Sequence, residues 1–265
     1  MSVADIGIRA KQGAKILTFD IETSPHTVHT WGLWDQNVSI NQIIEPGRVI
    51  CWAAKWYGRK AVEFRSDHHD GHDAMIQRMW ELLNEAEITV GFNHKKFDLR
   101  HLQREFWLQG LSLPSPSKQV DLLPAVKSLM LFPSNKLDYV SQQVGIGEKV
   151  KHEGFGLWTS CLAGDDAAWK RMRTYNVQDV RLTEALYDRM RGYIPNHPHH
   201  LTADATEDRP RCNECWMLKG KGYNLARNGT KLAQQITYVL YRCLDCGANV
   251  QGTRHSRAAV TRGAR

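Results

Sequence analysis

The stretch KILTFDIE, residues 15–22, decides the fold. It alternates, with Leu17, Phe19 and Ile21 on one face and Thr18, Asp20 and Glu22 on the other. A two-residue period marks a β-strand whose apolar side packs on a core. Asp20 and Glu22 then project together from the opposite side. Two like charges so close cost energy unless a cation lies between them, and Mg²⁺ and Mn²⁺ prefer such hard oxygen donors. A solvated strand end is the plainer account of this pair taken alone.

Outward from that strand, residues 49–57 and 61–65 also read as strands, so the chain opens on a three-stranded meander. Residues 70–85 carry Ala74, Met75, Met79, Leu82 and Leu83 at helical spacing. A buried strand at 88–92, a helix at 97–108, a short strand at 119–121 and helices at 122–131, 137–144 and 166–190 follow. The order predicts an α/β fold, a central mixed sheet flanked by helices. In the last helix Met172, Tyr175, Asp179, Leu182 and Leu186 form an inward-facing stripe. A carboxylate there needs a partner. An ion pair from Asp179 to Arg181 or to another helix, beside a core tyrosine, would serve; alternatively the Tyr175 hydroxyl reaches whatever Asp179 binds. Asp98, in GFNHKKFDLRHL, stands where a strand ends and a helix begins, a place the helix dipole favours for any acid.

Together the three segments resemble the Exo I, Exo II and Exo III motifs of the DEDD (DnaQ-like) 3′→5′ exonucleases. FDIET, with Asp20 and Glu22, is similar to Exo I, Asn93-x3-Phe97-Asp98 to Exo II, and Tyr175-x3-Asp179 to Exo III of the tyrosine-bearing branch. The histidine branch places its His five residues before the last aspartate, where this chain has Thr174. The likeness covers residues 15–191 and is nearest to the proofreading domain of family-B DNA polymerases, with Asp121–Leu123 and Leu137–Asp138 as further matching stretches. It implies a ribonuclease H-like fold and two Mg²⁺ or Mn²⁺ ions about 4 Å apart. Asp20, Glu22 and Asp179 would hold one ion, and Asp20 and Asp98 the other. Tyr175 would orient the attacking water. Thr23 would lie by the terminal sugar, with Asn93 and Phe97 near the last bases; Phe97 reads equally well as a core aromatic. Asp121 suits a helix N-cap, which favours Asp98 as the third carboxylate.

Past residue 192 the text YIPNHPHHLTADATEDRPR has no apolar period and reads as a linker over 193–208, its histidines at 197, 199 and 200 having no regular element to hold them. Cys212-x2-Cys215 and Cys243-x2-Cys246, 27 residues apart, predict a four-cysteine zinc ribbon over 209–252 holding one structural Zn²⁺, with a strand at 236–242 and a turn at Asn228-Gly229. Residues 253–265 read as a basic, disordered tail. Cys51 and Cys161 read as small buried hydrophobes.

Residues 209–265 hold 11 Lys+Arg against 2 Asp+Glu, while residues 1–208 hold 24 against 26. A basic C-terminal segment fits a polyanion. Lys219, Lys221, Arg227 and Arg242 with Trp216, Tyr223 and Tyr238 offer charge and stacking to nucleic acid; docking to a protein partner is the competing use. No run of about 18 apolar residues occurs, so no membrane is expected. The first residues lack the apolar core of a secretory signal, which points to the cytoplasm, a host's if the chain is phage-encoded.

The expected activity is therefore removal of nucleoside 5′-monophosphates from the 3′ end of DNA by an exonuclease domain over residues 1–192. DNA is favoured over RNA, and a polymerase or another replication protein is a further expected partner. A 3′→5′ exoribonuclease, or a nucleic-acid-binding ribbon protein with a vestigial nuclease site, are the alternatives.

Overall fold

The computed structural model describes residues 14–194, 197, 212, 215, 222–233 and 236–257. Two compact units emerge, one of Lys15–Tyr187 and one containing the described residues from Asp188 onward.

In the first unit β1 (Ile16–Thr23), β4 (Val49–Trp56), β5 (Glu63–Ser66), β6 (Ile88–Gly91) and β7 (Lys118–Asp121) form one sheet in the order β5-β4-β1-β6-β7. The pairs β1–β4 and β4–β5 are antiparallel; β1–β6 and β6–β7 are parallel. The mixed sheet and opening meander expected from the sequence are both present. Two short strands, β2 (Thr27–Val28) and β3 (Ile43–Glu45), pair apart from it.

The apolar side of β1 meets two helices, α2 (His72–Glu85) and α3 (Asp98–Leu108). Leu17, Phe19 and Ile21 pack against Met75, Met79, Leu82, Leu102 and Phe106, all buried. Each such side chain removed from water contributes about 1.5–3 kcal/mol, which pins the register of β1 and with it the direction of Asp20 and Glu22. Ile50 and Cys51 of β4 lie in a separate cluster with α6 (Phe155–Leu162) and α7 (Asp166–Met190), through Leu157, Cys161, Trp169, Met172 and Tyr175. Cys51 and Cys161 are thus small core hydrophobes, as their apolar neighbours in sequence implied. In chain order, α4 (Leu122–Leu129) and α5 (Leu137–Gln143) follow β7 and precede α6.

The helix expected over 70–85 is present as α2, which starts two residues later, at His72. A four-residue α1 (Asp67–Asp70) ends at Gly71, whose φ of +81° only glycine adopts cheaply, and α2 starts anew.

The second unit carries an antiparallel sheet of β8 (Leu225–Ala233), β9 (Ile236–Cys243) and β10 (Asn249–Arg257), in the order β10-β9-β8. Asn228-Gly229 is a bulge inside β8 rather than a turn. The register with β9 shifts between Arg227 and Thr230 while both flanks stay paired, and Gly229 takes φ +91°. β10 continues past residue 252, because His255, Ser256 and Arg257 find partners on β9. Most of the expected linker, His199 and His200 included, and residues 258–265 lie outside the described residues. Among the described residues no helix is long and apolar enough to cross a membrane.

Candidate metal centres

Asp20 and Glu22 leave β1 on the side away from its core, and Asp179 meets them from the middle of α7. One ligand oxygen of each lies within 4.8 Å of the others. Asp98, at the start of α3, is attached to the same strand: its Oδ1 accepts from the Ile21 N–H at 3.1 Å between the two acids of β1. Of the four carboxylates expected to converge, Asp20, Glu22 and Asp179 form the close group, and Asp98 stands outside it, bonded to the strand that bears the first two.

Their electrostatics show what the cluster lacks. Burial, followed by the charges of Asp98, Glu22 and Asp179, holds the Asp20 carboxyl well above the usual carboxylate range. Burial and then Asp179 lift Glu22 to about 8, and burial lifts Asp98 to about 7. Asp179 is raised by burial while Lys149 pulls the other way. Its Oδ1 is buried with no hydrogen-bond partner among the described residues. An unpartnered buried oxygen among mutually repelling carboxylates is the environment a hard divalent cation relieves.

Lys149 went unnoticed in the sequence. Its Nζ contacts Asp179 Oδ2 at 2.5 Å and donates to the Tyr175 hydroxyl at 3.2 Å. Lysine, and not Arg181, is therefore the ion partner of Asp179. Burial works against the ammonium, but Asp179, Asp20 and Glu22 together outweigh it and raise the Lys149 pKa. Lys149 is placed by its own backbone, whose N–H donates to Asp138 Oδ1 at 2.7 Å. Nothing periodic marks a loop lysine in KVKHEGFG. Asn176, also unforeseen, donates through Nδ2 to Asp20 Oδ2 at 2.7 Å; its signal was its place three residues before Asp179, which puts the two side by side on the helix.

Tyr175 is held well above the ordinary phenol range by burial and by the charges of Glu22 and Asp179. Its hydroxyl stays protonated and can orient a neighbour but not take its proton. Phe97 caps the start of α3 and is 40% exposed, which removes the core reading and leaves its ring, 4.6 Å from that of His101, open to solvent. Asn93 takes φ +68°, and its N–H donates to Asp121 Oδ1 at 2.8 Å. Thr23 follows a register shift at the end of β1 and pairs with Val49. Asp121 also accepts from the N–H groups of Lys95 and Leu123, so it serves as the N-cap its position suggested.

In the second unit Cys212, Cys215, Cys243 and Cys246 bring their sulfurs within 4.8 Å of one another. Cys212 and Cys246 are 3.6 Å apart and Cys215 and Cys243 3.7 Å. Four thiolates at about 2.3 Å from a zinc ion would stand about 3.8 Å apart on the edges of a tetrahedron, so the donor set fits that ion. The Gly247 N–H closes the second knuckle on Cys243 O at 2.9 Å, with φ +75° at the glycine.

The sequence pattern of the RNase H superfamily matches residues 17–191. The chain belongs to the RNase H superfamily. No curated protein matches it in sequence. This RNase H superfamily protein is similar in structure to the family B DNA polymerase from the hyperthermophilic archaeon Pyrobaculum calidifontis, with 18% identity and a TM-score of 0.54. The match covers 84% of this chain and 31% of that one, so the chain spans under a third of that polymerase's length. At that identity the likeness carries the fold alone, while superfamily membership supports a nuclease.

Proposed function

We propose that this chain is a metal-dependent 3′→5′ exonuclease of the tyrosine-bearing DEDD branch, acting on DNA in preference to RNA. The observation that carries the reading is the meeting of Asp20, Glu22 and Asp179 within 4.8 Å, with Asp98 bonded to the same strand, inside an RNase H superfamily fold. Asp20, Glu22, Asp98 and Asp179 would hold two Mg²⁺ or Mn²⁺ ions, which when bound activate water and neutralise charge at the scissile phosphate. Asn176 fixes the rotamer of Asp20, and the Ile21 N–H fixes that of Asp98. Tyr175, protonated and anchored by Lys149, orients the nucleophilic water. Phe97 offers an open ring for a terminal base, with Asn93 and Thr23 beside the nucleotide path. The catalytic domain would occupy residues 1–192 and the zinc ribbon residues 209–252. The ribbon would hold one structural Zn²⁺ and lend its basic surface, Arg227 and Arg242 among the described residues, to nucleic acid; Trp216, Lys219 and Lys221 lie outside those residues.

The test is a time course on 5′-labelled single-stranded DNA, duplex DNA and RNA, with and without Mn²⁺. The expected outcome is a ladder shortening from the 3′ end of single-stranded DNA, dependent on the cation. No cation-dependent hydrolysis of any of the three would leave a nucleic-acid-binding protein, and fastest cleavage of RNA would make it an exoribonuclease.

A further inference from the structure

At the edge of the first unit, away from the carboxylates, His68, His69 and Asp166 place one ligand atom each within 4.8 Å of one another. The two histidines come from α1, just after β5, and the aspartate from the first turn of α7. They are separated by almost a hundred residues of chain. Across the sheet Glu22 pairs with Cys51 and Cys51 with Ser66, so the trio begins two strands away from the carboxylate centre.

Their setting goes beyond a chance surface ion pair. Ser66, fully buried, caps α1 and lies 2.8 Å from His69 Nδ1. A histidine whose Nδ1–H is given to an oxygen keeps its lone pair on Nε2, the tautomer a metal requires. His69 Nε2 lies 4.0 Å from Asp166 Oδ1, too far for a hydrogen bond between them. His68 Nε2 lies 2.9 Å from the same oxygen, and its ring is stacked at 9° on buried Trp169, whose indole N–H is itself tied to Cys161 O. Both rings are thus held by neighbours that leave Nε2 directed at one exposed carboxylate. Asp166 is 75% exposed, so its carboxylate stays accessible to an ion from solvent.

We infer that His68 Nε2, His69 Nε2 and Asp166 form a binding site for a borderline divalent transition cation, Zn²⁺ foremost, independent of both the carboxylate and the cysteine centres. Imidazole with a single carboxylate selects such an ion over Mg²⁺, and three protein ligands leave a position open to water. The bound ion ties the β5–α1 junction to the N-terminus of α7, the helix that carries Tyr175 and Asp179. Lys170, one turn along from Asp166, is an adverse charge that already acts on Asp166.

The experiment uses the full chain with zinc in its cysteine cluster and excess Mg²⁺ to cover the carboxylates. Zinc is titrated calorimetrically, with metal content measured after gel filtration. The wild type should take up one equivalent more than His68→Ala/His69→Ala, and Asp166→Asn should weaken that uptake at least about tenfold. Lys170→Ala should tighten it. Zinc should also raise the melting temperature of the wild type and leave that of the double variant in place. Variants are compared only if their melts in EDTA match the wild type; if the double variant fails this, Asp166→Asn and Lys170→Ala decide. Equal uptake and equal affinity in wild type and variants would overturn the site, whatever the nuclease assay reports.

Discussion

The carboxylate centre draws Asp20 and Glu22 from β1, Asp98 from the start of α3 and Asp179 from the middle of α7, whereas the cysteine cluster is made from two local pairs. The first therefore depends on the packing of a whole α/β unit, and the second on two short knuckles beside a small sheet. Their chemistry differs as well. Four sulfurs already stand at the edges of a tetrahedron, a closed set with no place for a reactant. The carboxylates repel one another, keep an unpartnered oxygen on Asp179 and hold an ammonium among them. One cluster fits a metal that builds structure, the other a metal that works.

The sharpest way to separate the two is to remove a ligand from each. Cys243→Ser should abolish zinc retention and open the ribbon to protease, an effect on the order of 10 kcal/mol in a domain this small. Hydrolysis of short oligonucleotides should survive, since Lys15–Tyr187 forms its own compact unit. Loss of that activity together with zinc would erase the contrast. Asp179→Ala should leave zinc in place and cut turnover by at least about a thousandfold, a loss of about 4 kcal/mol in the transition state. Tyr175→Phe should cost clearly less, about ten- to a hundredfold, because it removes an orienting hydroxyl and no ligand. Equal losses in single-turnover assays would end the orienting role.

Proton linkage distinguishes the centres more gently. Glu22 sits at about 8 and Asp98 at about 7 in the folded chain, against ordinary values of 4.5 and 3.8. Between those limits the folded protein keeps protons that the unfolded chain has shed, so stability falls as pH rises from about 4 to 8. Melts in EDTA should lose on the order of 5 °C between pH 5 and pH 8, and saturating Mg²⁺ should flatten the slope. A level or rising profile in EDTA would mean that the carboxylates are not mutually destabilising. The smallest effect is expected at Phe97. Phe97→Ala should raise KM for single-stranded DNA about fivefold with kcat kept, the low end of a base-stacking contact.

The fold was readable where a period reached a partner layer. Leu17, Phe19 and Ile21 announced β1, and the stripe from Met172 to Leu186 announced α7, because both patterns are long enough to specify a buried face. Features set by one residue or by tertiary contact were not. Gly71 ends α1, whose sequence DHHD has no apolar residue to mark it, just before α2 begins. β2 and β3 have two and three residues, too few for any pattern. α6, FGLWTSCL, is apolar on nearly every side and has no side-chain cap to announce its start. In the site, the acids and the tyrosine belong to regular elements and could be inferred. Lys149 lies in the irregular stretch between α5 and α6, and only the folded chain shows that it reaches Asp179.

That lysine gives the two oxygens of Asp179 different standing toward any cation. The ammonium supplies part of the positive charge the gathered acids call for and offsets some of their mutual repulsion. Among the described residues Asp179 Oδ1 carries no such partner and would stay open to a cation, whereas an ion ligated through Oδ2 would have to displace the tethered ammonium.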